Sequence, residues 1–118
     1  MRPVVVPPDA GRELRTPGGA DVVIKLSAQA TGGAMTIFET ANDAGGEHRH
    51  ANMEEVFVVI AGAYVFELDD VEHAAPAGTI VFLPRGTRHR FRSVGHEPGR
   101  VLSFTTPGGI DRLFEAVG

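Results

Sequence analysis

Three histidines and one glutamate in this sequence have spacings that suit a single metal ion. His48 and His50 are two residues apart, so on an extended chain their side chains project side by side. Glu55 and His89 lie in two later apolar runs, each with a phenylalanine two positions on and therefore on the same strand face. Three imidazoles and one carboxylate would fill four positions of a transition ion and leave two positions open on an octahedral one.

The pair His48 and His50 taken alone is equally typical of two exposed loop histidines. The matching positions of Glu55 and His89 favour a metal site over that alternative. Because the chain contains no cysteine, nitrogen and oxygen ligands must hold any metal. We therefore expect these four residues to bind one divalent transition ion, which the residue types allow to be iron, manganese, nickel, copper, cobalt or zinc.

The elements that must position these side chains are predicted to be short strands. Fifteen glycines and eight prolines make up about a fifth of the 118 residues, a density typical of many short strands joined by turns. Apolar, β-branched runs between turn residues predict strands at 21–26, 34–40, 54–61, 64–68, 71–74, 79–83, 88–93 and 100–105. Such a series predicts an all-β sandwich or barrel.

The two ends of the chain differ from this pattern. Residues 1–20 contain four prolines and three glycines without periodicity, so we expect an N-terminal arm with an edge strand at 4–6. Residues 21–118 would form a single domain. Ile110, Leu113, Phe114 and Val117 have the spacing of an amphipathic helix. We expect one short C-terminal helix, which would either cover the core or close one mouth of a barrel.

The candidate ligands lie in two motifs that resemble those of the cupin family. The motifs read His48-x-His50-x4-Glu55-x6-Gly62 and Gly78-x5-Pro84-x-Gly86-x2-His89. The resemblance extends over residues 34–114, and the segment 106–115 is similar to the tail of small single-domain bacterial cupins of the quercetin-dioxygenase-like type. It implies a double-stranded β-helix (jelly-roll) barrel with one short C-terminal helix. It also implies that all four candidate ligands bind the metal.

Two positions depart from the family motifs. Asn42 stands where the first motif usually begins with glycine. Because asparagine also tolerates left-handed backbone, we expect the turn to be kept. Ser93 stands where the second motif usually ends in asparagine. That position does not bind metal, so the change affects only a hydrogen bond around the site.

The resemblance implies a dioxygenase-type oxidoreductase that cleaves a ring or carbon–carbon bond of a small oxygenated aromatic compound inside the barrel. Glu55 would be the fourth metal ligand and, on leaving the ion, a catalytic base. Only Phe57 and Phe91 share a strand face with a predicted ligand. The candidate walls of the substrate pocket are Phe38, Met53, Phe57, Phe91, Phe104 and Phe114.

Two other functions stay open at this stage. The same ligands would serve a non-redox isomerase, cyclase or lyase that uses the ion as a Lewis acid. They would equally serve a protein that binds or senses a small molecule or a metal without catalysis. The sequence lacks the nucleophile elbow of serine hydrolases and the glycine-rich phosphate loops, which argues against hydrolysis by a serine nucleophile.

Charge and hydropathy narrow the classes of partner. The net charge of −4 disfavours general nucleic-acid binding. We therefore expect Arg85, Arg88, Arg90 and Arg92 to form a solvated or salt-bridged surface. No apolar run approaches the ~20 residues that a membrane span needs, and the first residues lack the apolar stretch of a secretion signal. We expect a cytoplasmic protein that binds neither membranes nor nucleic acids.

One predicted strand is apolar on both faces. Val56, Val58 and Ile60 alternate with Phe57 and Val59. The interior of a barrel covers only one of these faces, so the other requires a different cover. We therefore predict a homodimer in which a second subunit packs on the outer face.

Overall fold

The computed structural model describes residues 2–15, 21–42 and 52–111. Within these ranges the chain forms two antiparallel sheets, with strand orders β1-β2-β3-β9-β4-β7 and β6-β5-β8. The strands are β1 Arg12–Arg15, β2 Asp21–Leu26, β3 Thr36–Ala41, β4 Glu54–Ala61, β5 Ala63–Leu68, β6 Val71–Pro76, β7 Ile80–Leu83, β8 His89–Val94 and β9 Arg100–Thr106. The two antiparallel sheets confirm the predicted all-β jelly-roll architecture. A 3-10 turn at Gln29–Thr31 joins β2 to β3.

The two chain ends differ in part from the prediction. The edge strand is β1 at Arg12–Arg15, which pairs with β2, whereas residues 4–6 are not in a strand. Flanking prolines at 3 and 7 explain this error, because proline cannot donate a ladder hydrogen bond. Helical backbone begins at Ile110, and the rest of the predicted C-terminal helix lies outside the described residues. Among the described residues, no helix is long and apolar enough to cross a membrane.

Strict alternation along the central strands directs one set of side chains into the space between the sheets. In β4 the buried residues are Glu55, Phe57 and Val59. Two apolar clusters fill this space, one around Phe57, Phe66 and Tyr64, the other around Val22, Ile24, Phe38 and Ile110. Aromatic rings tie the first cluster together, with ring centroids of Phe66 and Phe91 5.0 Å apart in a stacked arrangement. Each sheet therefore buries one apolar face against the other.

Two Pro-x-Gly-Thr segments form the same tight turn before β7 and before β8. In each, the threonine amide donates to the carbonyl oxygen of the proline, at 3.1 Å for Thr79 and 3.3 Å for Thr87. The glycines have φ of +95° at Gly78 and +83° at Gly86. This is the third position of a type II turn, where positive φ favours glycine. The motif glycines Gly78 and Gly86 therefore supply the positive φ that these two turns require.

Asn42 takes the backbone conformation that was expected of it. Its φ is +56°, in the left-handed region that asparagine tolerates. Its side-chain oxygen accepts a hydrogen bond from the amide of Gly99 at 3.1 Å, and its carbonyl accepts one from the hydroxyl of Tyr64 at 3.0 Å. The asparagine thus keeps the turn and adds a bond that glycine could not supply.

The predicted basic cluster is a salt-bridged surface within one chain. Each arginine contacts an acidic residue of a neighbouring segment: Arg85–Glu54, Arg88–Asp70, Arg90–Glu67 and Arg92–Glu72. Elsewhere on the surface, a hydrogen bond and the charge of Glu39 raise the pKa of Arg100 above its usual value. These exposed pairs contribute little to stability individually. They do balance the charge of the cluster, as expected of a salt-bridged surface.

Substitution of Gly86 by alanine is expected to lower the free energy of unfolding. A Cβ at this position meets no atom within 4 Å, so the cost arises from the positive φ alone, about 1–2 kcal/mol. Gly86→Asn should lose less, because asparagine adopts this conformation more readily. Urea unfolding of the three proteins tests this. An alanine variant as stable as the wild type would show that the turn does not require glycine.

Candidate functional site

Glu55 is a buried carboxylate on a central strand of the larger sheet. It lies opposite Leu83 of β7 on one side and Thr105 of β9 on the other. Its side chain is only 3% exposed. Burial of a carboxylate carries a large desolvation cost unless charged or hydrogen-bonding groups compensate. Glu55 is therefore a candidate for a functional role rather than an ordinary core residue.

His89 approaches Glu55 from the opposite sheet. It is the first residue of β8, pairs with Leu68 of β5 and is 4% exposed. The turn from Pro84 to Thr87 carries the chain from β7 in the larger sheet to β8 in the smaller one. As a result, His89 Nε2 lies 3.6 Å from Glu55 Oε1. Two residues 34 positions apart in sequence meet here because the turn joins the two sheets.

A hydrogen bond to the backbone sets the tautomer of the His89 ring. Nδ1 lies 3.1 Å from the carbonyl oxygen of Thr87. Because a carbonyl oxygen only accepts hydrogen bonds, Nδ1 must carry the hydrogen. In the neutral ring, Nε2 then presents its lone pair toward Glu55. Metal-binding histidines are usually oriented by such a bond at the other ring nitrogen.

Four of the predicted pocket residues, Phe38, Met53, Phe57 and Phe91, belong to the interior clusters or pack against them. Phe57 is buried, with its ring centroid 5.8 Å from that of His89 and 5.3 Å from that of Phe91. Phe38 is buried in the second apolar cluster, against which Met53 packs. Met53 also lines a small cleft at the Glu55 and His89 side chains, together with Leu83, Pro84 and Thr87.

Phe104 is not a wall of the interior. In β9 the buried residues are Val101, Ser103 and Thr105, and Phe104 alternates with them on the outer face. It lies opposite Ile37 and Val56, which are also only half-buried. The prediction was wrong because Phe104 was chosen for its residue type without the parity of its strand. Three further predicted residues, His48, His50 and Phe114, lie outside the described residues.

Buried hydroxyl groups beside Glu55 were not predicted from the sequence. Ser103 and Thr105 are fully buried on the inner face of β9, and their hydroxyl oxygens have no hydrogen-bond partner among the described residues. Thr36, in contrast, donates to Asp111 Oδ1 at 2.7 Å and accepts from the Gly109 amide. The sequence from Val101 to Thr105 could have indicated the buried hydroxyl groups of β9. Side chains alternate along a strand, so Ser103 and Thr105 share the face of the apolar Val101. Within the described part of the chain, the interior thus holds these two hydroxyl groups without a hydrogen-bond partner.

The Glu55 and His89 pair is compatible with two ligands of a common ion. Metal–nitrogen and metal–oxygen bonds of this kind are each about 2.0–2.2 Å, which places two ligand atoms on one ion roughly 3–3.5 Å apart. The observed 3.6 Å is close to this separation. Among the described residues no group of three or more metal-binding side chains occurs. The other two predicted ligands lie outside these residues.

Comparison with known proteins agrees with this fold. Residues 35–105 match the Cupin_2 family of cupin domains, so the chain belongs to the cupin family. Protein SchB of Streptomyces halstedii is 35% identical over 106 residues, which cover 86% of this chain and 72% of SchB. Polyketide synthase CurC of Streptomyces cyaneus is 30% identical over 110 residues, which cover 91% of this chain and 71% of CurC.

Among solved structures, KdgF from Halomonas sp. has a similar fold. The TM-score is 0.79 at 16% identity, and the match covers 94% of this chain and 99% of KdgF. At this identity the likeness concerns the fold alone. It agrees with the two-sheet architecture that positions Glu55 and His89.

Replacement of Thr105 by valine is expected to stabilise the metal-free protein by about 1 kcal/mol, because an unsatisfied buried hydroxyl is removed with little change of shape. The matched variant Thr36→Val should destabilise by about 1–3 kcal/mol, since it leaves the partners of a satisfied hydroxyl buried. Urea unfolding measures both. Equal destabilisation by the two variants would mean that Thr105 also has a partner in the folded chain.

Proposed function

We propose that this chain is a metal-dependent cupin enzyme with a dioxygenase-type activity on a small oxygenated aromatic compound. The observation that carries the proposal is the buried pair of Glu55 and His89, with Nε2 of the ring directed at the carboxylate. A cation between these two groups would be bound by one buried oxygen donor and one buried nitrogen donor. The family motif adds His48 and His50 as the other two ligands.

The residues of the chain would divide the work at this site. Nε2 of His89 and the carboxylate of Glu55 would hold a divalent ion together with His48 and His50. Such an ion supplies Lewis acidity toward substrate oxygen atoms and, if redox active, a position for dioxygen. Glu55 would accept the proton of a substrate hydroxyl group. Phe57, which packs against the His89 ring, would exclude water and contact the flat face of an aromatic substrate.

Two observations support an oxygenated substrate. The hydroxyl groups of Ser103 and Thr105 are buried without hydrogen-bond partners among the described residues, and Thr105 lies directly across from Glu55. Rearrangement of the interior on binding would let these groups donate to substrate oxygens. The relative CurC is named as a polyketide synthase, and polyketide products carry oxygen on alternate carbons. We therefore place the substrate among phenolic compounds derived from polyketides.

A second candidate is a non-redox cyclase, isomerase or lyase. It is favoured by the same relative, because assembly and cyclisation of a polyketide chain proceed through carbonyl chemistry rather than through oxygen insertion. Glu55 would then remove a proton next to a carbonyl group, and the ion would polarise that carbonyl. The two candidates share the ligands and differ in their need for dioxygen.

Metal content tests the site that both candidates share. His89→Ala and His50→Ala should purify with much less bound metal than the wild type, because each removes one of four ligands. The control is His73→Ala, which changes an exposed histidine of β6 and should leave the metal content unchanged. Elemental analysis after loading and desalting measures this. Undiminished metal in the His89 and His50 variants would refute the site.

Oxygen consumption separates the candidates. Protein loaded with iron or nickel is incubated with a panel of phenolic compounds in an oxygen electrode, and products are followed by mass spectrometry. The dioxygenase proposal predicts oxygen uptake together with a product that has gained two oxygen atoms. Turnover that continues without oxygen would support the non-redox enzyme instead. Binding of the phenols without turnover under either condition would support a protein that only binds them.

We propose that the protein forms a homodimer through the outer face of the larger sheet. On this face Ile80 is 68% exposed and Phe82 is 59% exposed, although both are large and apolar. They lie opposite Val58 and Val56 of β4, and Ile60 beside them is 42% exposed. Contiguous apolar patches of this kind mark interaction sites. A second copy supplies the same apolar patch, as a two-fold interface requires.

Introduction of a charge into this face is expected to dissociate the dimer. Phe82→Glu should convert a dimer into a monomer at micromolar concentration, because the interface would have to bury an unpaired carboxylate. Val71→Glu is the control, since Val71 is exposed on β6 of the smaller sheet. Sedimentation velocity measures both variants. A wild type that sediments only as a 12.5 kDa species would refute the dimer.

A further inference from the structure

Asp69 and Asp70 form the two-residue connection between β5 and β6, at the tip of a hairpin that reaches β8. Both have positive φ, 46° at Asp69 and 70° at Asp70, as the two central residues of a type I′ turn require. Leu68, the last residue of β5, pairs with Val71 across this turn and with His89 on the other side. The hairpin tip is therefore a direct neighbour of the proposed metal ligand.

The two aspartates contact Arg88 in different ways. Asp70 accepts a hydrogen bond from the Arg88 guanidinium at 2.6 Å. The Arg88 side chain is 39% exposed and that of Asp70 68%, so this ion pair contributes little to stability. Asp69 binds the backbone instead. Its amide donates to the carbonyl oxygen of Arg88 at 2.9 Å, and its Oδ1 accepts from the Arg88 amide at 3.1 Å. One residue thus holds both backbone polar groups of the residue that precedes His89.

The bond to Oδ1 of Asp69 acts on the same peptide group that orients the histidine. The Arg88 amide and the Thr87 carbonyl belong to one planar peptide unit. Its N–H donates to Asp69, and its oxygen accepts from Nδ1 of His89. A rotation of this plane would move the acceptor away from Nδ1. Carboxylate, peptide and imidazole therefore form a continuous chain of hydrogen bonds that ends at Nε2 facing Glu55.

We propose that Asp69 is a positioning residue for His89 and acts through the peptide between Thr87 and Arg88. The inference rests on the proposed function in one respect, which is that Nε2 of His89 binds a metal ion. In many metal sites a carboxylate bonds directly to the histidine ligand, whereas here a peptide group lies between them. Asp69 is exposed, so solvent screens its charge. Asp69 then affects His89 through the orientation of this peptide and not through the charge of its carboxylate.

Three variants at the hairpin tip test this assignment. Asp69→Gly keeps a residue that suits the turn but removes the acceptor. Asp69→Asn keeps both the acceptor and the tolerance of positive φ. Asp70→Gly removes only the exposed ion pair. Isothermal titration with Co²⁺ should show about tenfold weaker binding for Asp69→Gly and affinities close to wild type for the other two, with all variants folded by circular dichroism.

The tautomer of His89 in the metal-free protein provides a second readout. Nitrogen-15 NMR of labelled histidine should show hydrogen on Nδ1 in the wild type, Asp69→Asn and Asp70→Gly, and a mixture of tautomers in Asp69→Gly. Unchanged Co²⁺ affinity and tautomer in folded Asp69→Gly would overturn the proposal. So would an equal loss in Asp69→Asn, or weaker binding without a change of tautomer. If the wild type binds no Co²⁺, the proposed metal site fails, and the NMR result alone decides the role of Asp69.

Discussion

The register of β4 between β7 and β9 is the constraint on which the candidate site depends. Side chains alternate along a strand, so a slip of one residue would turn Glu55 outward and Val56 inward. Pairing on both sides opposes such a slip, because Glu55 faces Leu83 in one ladder and Thr105 in the other. The same register places Phe57 and Val59 in the apolar cluster. Burial of Phe57 and Val59 on the same strand thus offsets the free-energy cost of burying the Glu55 carboxylate.

The position of His89, the second candidate ligand, depends on hydrogen bonds at a turn rather than on a strand ladder. The chain must leave β7 in one sheet and enter β8 in the other within five residues. Gly86 supplies the positive φ of that turn, and the turn leaves the Thr87 carbonyl available to Nδ1 of His89. The β5–β6 hairpin then contacts the next peptide through Asp69. The two halves of the site are therefore built differently, Glu55 by sheet register and His89 by turns.

Much of this architecture could be predicted from the sequence, since it follows from local pattern. The bounds of 21–26 and 54–61 agree with β2 and β4, because those runs are β-branched and end at turn residues. The inward placement of Glu55 and His89 followed from parity. Phe104 was misplaced because it was chosen by residue type, whereas the inner face of β9 carries Val101, Ser103 and Thr105. The contact between Asp69 and Arg88 could not be predicted, because it joins two turns whose spatial relation depends on how the strands pair.

We propose that the carboxylate of Glu55 and Nε2 of His89 bind the same metal ion. A crystal structure of the metal-loaded protein, with diffraction data collected on both sides of the absorption edge of the metal, tests this directly. One anomalous peak is expected at a ligand distance of roughly 2.0–2.2 Å from both His89 Nε2 and a Glu55 oxygen. Anomalous peaks only at surface residues such as His73, with none between Glu55 and His89, would contradict it.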